Sequence, residues 1–80
     1  MNAEQVTELE MVFRVALRLP DGADLWGIHR ALWSDWDSMA QVSLIAAIES
    51  QFDLQFDVAA AMQIDSWDTC LSVVTSKLRG

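Results

Sequence analysis

Asp37 and Ser38 stand immediately before a run of residues with helical periodicity, and this pair has the clearest potential for chemistry. An aspartate in this position caps a helix by accepting hydrogen bonds from the first free N–H groups. Ser38 then falls in the first turn, with its hydroxyl group outside the core. A phosphate ester on that hydroxyl group would meet the positive end of the helix dipole and unpaired N–H donors. Taken alone, however, the pair is more typical of an ordinary helix start.

Two other kinds of site fit these residues poorly. A serine hydrolase needs a base and an oxyanion hole; His29 and Asp35 lie nearby, but a helical domain of 80 residues offers no evident substrate cleft. A calcium loop needs several spaced oxygen ligands and a glycine turn, which Asp35 and Asp37 do not supply. We therefore expect no catalytic residue and no metal site, and we interpret His29 as an ordinary loop residue.

The elements that position Ser38 follow from length and periodicity. A chain of 80 residues has room for one hydrophobic core, so we expect a single domain over residues 1–80. Apolar residues recur at helical spacing in four segments, and no segment alternates as a strand does, so the predicted fold class is all-α. The first helix is predicted from Ala3 to Leu19, with Asn2 and Gln5 as a capping pair and Pro20-Asp21-Gly22 as its end.

A long connection over residues 20–36 precedes Ser38. It contains three of the four tryptophans, namely Trp26, Trp33 and Trp36. An exposed patch of three indoles would favour aggregation, so we expect this connection to fold back onto the core. Leu25, Ile28 and Leu32 have the spacing of a short helical turn within it.

The second helix is predicted from Asp37-Ser38 to about Gln51. Its core face is predicted to comprise Leu44, Ile45, Ile48 and Phe52. A neighbouring face, at steps of three and four residues, comprises Met39, Val42 and Ala46. The apolar arc is therefore wider than one core contact requires, which favours a partner-binding role for the neighbouring face.

Two further helices are predicted after a break at residues 53–57, in which Leu54 and Phe56 are apolar anchors. The third helix is short, from Val58 to Gln63, and Asp65 or Ser66 is expected to cap the last one. The buried stripe of the last helix is predicted to be Trp67, Cys70, Leu71, Val74 and Leu78. We expect Cys70 to pack as a small apolar residue, and Met11 and Met62 to fill gaps in the core.

The charge of the chain limits its partners. The formal net charge is −7, and the interval between Arg30 and Lys77 contains seven carboxylates and no Lys or Arg. Nucleic acids and anionic membranes attract clustered basic residues, so we expect neither as a partner. A one-signed acidic field attracts basic partners, although it also serves solubility alone.

Cysteine usage and apolar run length predict the location. Cys70 is the single cysteine, which fits a reducing compartment. No apolar run reaches the roughly 18 residues of a membrane span, and a start rich in glutamate does not resemble a signal peptide. We expect a monomeric, cytoplasmic protein.

Asp37-Ser38-Met39 begins a longer motif. It is followed by Val42, Leu44, Ile45, Ile48, Glu49, Phe52, Leu54 and Phe56. From Trp36 to Leu78 this string resembles the acyl carrier protein family, which has an Asp-Ser-Leu/Met motif, a Val-x-Leu core and an Ile/Leu-Glu-x-x-Phe close. The predicted N-terminal helix and long loop agree with that family in length and pattern only.

The resemblance implies a four-helix acyl-carrier-like bundle with three longer helices, a short third helix and a long first loop. It implies that a phosphopantetheinyl transferase (a holo-synthase) attaches 4′-phosphopantetheine covalently to Ser38, assisted by Asp37. Acyl groups would be held as thioesters on the thiol of that arm, and acyl ligase or ketosynthase-type enzymes would be further partners. The docking face for these partners would comprise Met39, Val42, Ala46 and the acidic Glu49.

The chain departs from the carriers of fatty-acid synthesis at positions that those carriers use for docking. Such carriers have several carboxylates on the second helix, whereas the corresponding positions here are Ser43, Glu49 and Ser50. The short third helix has no carboxylate, and Trp36 stands where a small or aliphatic residue is usual. We therefore expect a stand-alone carrier of a specialised pathway, such as polyketide or hybrid biosynthesis.

Two alternatives remain open. An aminoacyl carrier resembling the D-alanyl carrier is favoured by Asp37-Ser38-Met39 and by Trp67-Asp68-Thr69. A helical interaction module without a prosthetic group would instead use the apolar face of the second helix to bind a partner helix.

Overall fold

The computed structural model describes residues 1–79, whose regular secondary structure is helical. Its four α-helices are α1 (Ala3–Ala16), α2 (Ser38–Phe52), α3 (Val58–Gln63) and α4 (Trp67–Arg79). Within the described residues there is no strand, only an isolated bridge between His29 and Ser66. None of these helices is both long and apolar enough to cross a membrane. The predicted all-α class with four helices, including a short third one, is confirmed.

The capping residues of α1 match the prediction. Asn2 Oδ1 accepts the N–H of Gln5 at 2.8 Å, and Gln5 Oε1 accepts the N–H of Asn2 at 3.0 Å. These reciprocal bonds satisfy two donors that a helix start leaves unpaired.

The C-terminal end of α1 comes earlier than predicted, at Ala16 instead of Leu19. Arg18 takes a left-handed conformation with φ of 56°, and the N–H of Leu19 donates to the carbonyl of Arg14 at 2.9 Å. This closure resembles a Schellman motif, in which glycine is the usual left-handed residue. The periodic Leu17 and Leu19 continue the apolar pattern beyond the point where the helical hydrogen bonds stop.

The core is centred on an aromatic cluster of three side chains from different segments. Phe13 packs edge-on against Trp36 at a centroid distance of 5.5 Å and against Trp67 at 5.1 Å. The largest fully buried aliphatic side chains around it are Leu9, Leu17, Leu44, Ile48, Ile64 and Val74. The core positions predicted on α2 and α4 are buried or half-buried, with Ile45, Phe52, Leu71 and Leu78 in the half-buried group.

Hydrogen bonds attach the long connection to the helices. The Arg14 guanidinium donates to the Ala23 carbonyl at 3.1 Å, and Trp33 Nε1 donates to the Leu17 carbonyl at 3.3 Å. Trp33 and Trp36 therefore lie beside the C-terminal half of α1, so α2 starts at the end of the molecule where α1 stops. α2 then packs along α1.

The prediction that all three tryptophans of this connection fold onto the core is wrong for Trp26. Trp36 is buried and Trp33 half-buried, but Trp26 is 60% exposed and makes an edge contact with Trp67 at 6.4 Å. Leu32 is also exposed, and the helical turn covers only Leu25–Gly27. The chain reverses after His29, whose carbonyl accepts the N–H groups of Leu32 and Trp33, and this reversal turns Leu32 outward.

The prediction that Met11 and Met62 fill gaps in the core is also wrong, because both side chains are exposed. Met11 lies two residues from both Leu9 and Phe13, which places it on the opposite side of α1. It borders an open groove of about 570 Å³ between α1 and α2, together with Val15, Ser43 and Ala47. Met62 lies on α3, which has no buried residue.

The last helix begins at Trp67, and Ser66, one of the two predicted caps, comes directly before it. Ser66 Oγ accepts the N–H of Thr69 at 3.1 Å, and Thr69 Oγ1 accepts the N–H of Ser66 at 3.0 Å. The next residue, Trp67, is buried against Phe13, so the start of α4 is fixed by both polar and aromatic contacts.

Replacing Trp67 by alanine is expected to leave the protein close to unfolding. Truncation of a buried aromatic residue costs about 3–5 kcal/mol, and small domains have a total stability near the lower end of roughly 5–15 kcal/mol. Trp26→Ala is the matched control, and its expected cost is about 1 kcal/mol or less because the ring is exposed. Thermal melts followed by circular dichroism measure both, and equal shifts for the two variants would contradict the aromatic core.

Candidate functional site

Asp37 and Ser38 form the start of α2 as predicted. Asp37 is the N-cap residue, and its Oδ1 accepts the N–H of Ala40 at 2.9 Å. Ser38 is the first helical residue and is exposed. Since the first N–H groups of a helix have no acceptor within it, those of Ser38 and Met39 remain available to an anion at this point. Asp37 supplies the cap, so the serine hydroxyl group is not needed for it.

The apolar face predicted on α2 is accessible. Met39 is 76% exposed, Val42 is 67% exposed, and Ala46 is exposed as well. Ser38, Val42 and Ala46 are four residues apart, so they lie on one side of the helix, with Met39 next to them. The structure therefore brings the serine and the three apolar residues together on one solvent-facing side, which we call the α2 face.

The segment in front of Ser38 is joined to α2 and α3 by one amide group. The buried Trp36 donates from Nε1 to Gln41 Oε1 at 2.6 Å. Gln41 Nε2 in turn donates to the carbonyls of Ala61 and Ile64, at 2.9 and 3.1 Å. These carbonyls belong to the C-terminal end of α3, so the amide fixes that end beside the start of α2.

Glu49 has a contact of its own within the chain. It is half-buried, and its Oε2 accepts the N–H of Phe56 at 2.9 Å, just before α3 begins. Gln41 and Glu49 are eight residues apart, about two turns along α2, and Glu49 is seven residues after Val42, so it borders the α2 face. The two side chains hold α3 at its opposite ends. Sequence reasoning assigned Glu49 to an acidic docking rim and gave no sign of this intramolecular bond.

α3 also has exposed apolar side chains. Val58 is 75% exposed and Met62 is 74% exposed. Asp57 caps this helix by accepting the N–H of Ala60 at 2.7 Å. Six aspartates between Arg30 and Lys77, the interval without Lys or Arg, are exposed: Asp35, Asp37, Asp53, Asp57, Asp65 and Asp68. Asp35 and Asp37 are close to Ser38 along the chain, so negative charge as well as exposed apolar side chains lies at the start of α2.

The other residues considered from the sequence lie apart from this chemistry. The residue His29 is exposed, and its backbone forms the isolated β-bridge with Ser66, just before α4. In residues 1–79 no group of three or more His, Cys, Asp or Glu side chains has the arrangement of a metal site. Cys70 is buried, and burial raises the pKa of its thiol to about 12. Reaction requires the thiolate, so this thiol is unreactive at neutral pH.

Gln41 is the residue at this site that sequence reasoning missed. Its hydrogen-bond partners at the end of α3 lie 20 and 23 residues away, so no local sequence motif predicts them. One signal was present: Gln41 is three residues before Leu44, in phase with the core face of α2. A polar side chain at such a position needs partners, and the structure provides three.

The two residues at the helix start are expected to differ in their effect on stability. Asp37→Ala removes the cap and should lower the free energy of unfolding by about 1 kcal/mol. Ser38→Ala should change it by less than about 0.5 kcal/mol, because the side chain is exposed and does not supply the cap. Urea titrations of the two variants measure the difference, and a larger loss for Ser38→Ala would mean that the serine has a structural role.

The chain was compared with models of protein families, with curated proteins and with solved structures, and nothing matches. The arrangement of Asp37, Ser38 and the α2 face is therefore the observation from which a function has to be inferred.

Proposed function

We propose that this protein is an acyl carrier protein that holds acyl intermediates as thioesters on a 4′-phosphopantetheine arm attached to Ser38. The main support is the position of Ser38: exposed in the first turn of α2, next to an aspartate that already caps the helix. The motif Asp37-Ser38-Met39 and the four-helix architecture with a short third helix agree with this proposal.

The residues at the start of α2 fit a phosphodiester. The Ser38 oxygen is accessible for an ester bond to phosphorus. When that bond forms, the hydroxyl group loses its proton, the phosphoanhydride bond of the phosphopantetheine donor breaks, and the nucleotide part of the donor leaves with the bridging oxygen. The free N–H groups of Ser38 and Met39 and the helix dipole favour the negative charge of the ester. When bound, the arm supplies the thiol that forms thioesters, a role that the buried and neutral Cys70 does not fill.

Enzymes that attach or use the arm would dock on the α2 face. The enzyme would contact Met39, Val42 and Ala46 with apolar side chains of its own. Basic side chains of the enzyme would pair with the carboxylates close to Ser38. Charge complementarity mainly accelerates association and selects partners, while the apolar contacts supply affinity. The partners proposed are a phosphopantetheinyl transferase and acyl ligase or ketosynthase-type enzymes.

A specialised pathway is the setting that we propose, because α2 has one carboxylate where the carriers of fatty-acid synthesis have several. That carboxylate, Glu49, is already bonded to the Phe56 N–H. An acidic contact for a basic partner at this position is therefore weaker than the sequence alone implies. Polyketide or hybrid biosynthesis fits such a carrier, and an aminoacyl carrier is the alternative cargo class.

Modification of Ser38 is tested by intact mass after co-expression with a promiscuous phosphopantetheinyl transferase. The wild type is expected to gain one phosphopantetheine and one thiol that reacts with maleimide at neutral pH. Ser38→Ala should gain neither, and Ser50→Ala, an exposed serine on the same helix, should gain both. The unmodified protein should not react in its folded state, since its one thiol is buried with a pKa of about 12. No adduct on the wild type would favour an interaction module without a prosthetic group, and an adduct on Ser38→Ala would remove the assignment.

Partner choice is tested by restoring carboxylates on α2. We expect Ser43→Glu/Ser50→Glu to improve the modified protein as a substrate of a fatty-acid ketosynthase by several-fold to about tenfold, because each exposed ion pair contributes about 0.2–1 kcal/mol. The gain should fade as salt rises, because salt screens exposed charges. Ser43→Gln/Ser50→Gln is the uncharged control. An equal response to both double variants would show that these carboxylates do not select the partner.

A further inference from the structure

We propose that Gln41 is a positioning residue that aligns α3 with Ser38, so that a docking enzyme meets α2 and α3 as one surface. This inference rests on the proposed carrier function, and it adds a residue to which neither the motif nor the predicted docking face points. The alignment depends on the amide contact that joins Trp36, Gln41 and the end of α3.

α3 depends on external contacts for its position. It has six residues, none of them buried, and a helix this short is unstable in isolation. It nevertheless presents two exposed apolar side chains, Val58 and Met62. These side chains extend the α2 face only if α3 is held at a fixed place beside it.

Gln41 is well placed to hold α3. It lies three residues after Ser38, close to one helical turn, so the end of α3 that it binds is close to the attachment site. The Ala61 carbonyl accepts the capping N–H of Ile64 at 3.3 Å, and within residues 1–79 no backbone partner is found for the Ile64 carbonyl. The Gln41 amide donates to both carbonyls, so it adds a second bond to the first and supplies the bond that the other lacks. Its oxygen accepts from Trp36, so the amide is fixed from the core side as well.

No other side chain of similar size reproduces these three bonds. A carboxylate accepts from the Trp36 indole but has no proton to donate to the two carbonyls. An aliphatic side chain would leave the indole N–H and the Ile64 carbonyl without a partner, while the Ala61 carbonyl would keep only the N–H of Ile64. The bond between Glu49 and Phe56 at the other end of α3 would remain in either case. Loss of the Gln41 donors should therefore loosen the C-terminal end of α3, while Glu49 and the packing against α4 keep the helix attached.

The test compares Gln41→Glu with Gln51→Glu, in which an exposed residue of the same helix acquires the same charge. A phosphopantetheinyl transferase is assayed over a range of carrier concentrations with wild type and both variants. Gln41→Glu is expected to raise KM by about five- to tenfold with kcat within about twofold, because docking is impaired while Ser38 stays at the helix start. Backbone amide exchange in α3 should become faster in Gln41→Glu and stay unchanged in Gln51→Glu.

The possible outcomes distinguish failure of the positioning role of Gln41 from failure of the carrier function. A KM for Gln41→Glu equal to that of Gln51→Glu would overturn the positioning role and leave the carrier function intact. A Gln41→Glu chain with the circular dichroism of an unfolded protein would show that Gln41 supports the fold, which also overturns the proposal. If the wild type accepts no phosphopantetheine, the carrier function fails, and the positioning role fails with it.

Discussion

The structure depends on one indole, that of Trp36, which is buried in the core and still has a hydrogen-bond partner for its N–H. The ring packs edge-on against Phe13, and Nε1 donates to Gln41. A buried N–H without an acceptor would cost about 1–3 kcal/mol, so the aromatic core and the Gln41 amide have to be present together. Because Trp36 is two residues before Ser38, this requirement fixes where the long connection ends and where α2 begins.

The same constraint explains how a helix with no buried residue holds its place. α3 contributes little to the core and packs against α4. Gln41 of α2 binds its C-terminal end, and Glu49 of α2 binds Phe56 just before it begins. Gln41 borders the core face of α2, whereas Glu49, seven residues after Val42, borders the α2 face. α2 thus divides its surface between the core, the attachment of α3 and an exposed apolar face, which we propose binds partners. This division accounts for an apolar arc wider than one core contact requires.

Sequence reasoning succeeded where local rules decide the structure. The Asn2 and Gln5 capping pair, the Asp37 cap and the boundaries of α3 depend on residues within a few positions of each other. It failed where a side chain's environment depends on distant segments. Trp26 makes only an edge contact with Trp67, 41 residues away, so its exposure could not be read from its neighbours in sequence. The Gln41 amide binds carbonyls 20 and 23 residues away. The exposed position of Ser38 in the first turn of α2 was predictable because a cap, a first-turn serine and an apolar series are all local. The contact between α2 and the end of α3 was not.

The most direct test of this account is hydrogen exchange at the four indole N–H groups, followed by ¹H–¹⁵N NMR of the wild type. The account predicts that the Trp36 Nε1–H is strongly protected, because it is buried and bonded to Gln41. Trp26 provides the internal reference, since its exposed indole should exchange at close to the rate of a solvated group. Exchange of Trp36 as fast as that of Trp26 would contradict the buried contact on which the positions of Ser38 and α3 depend.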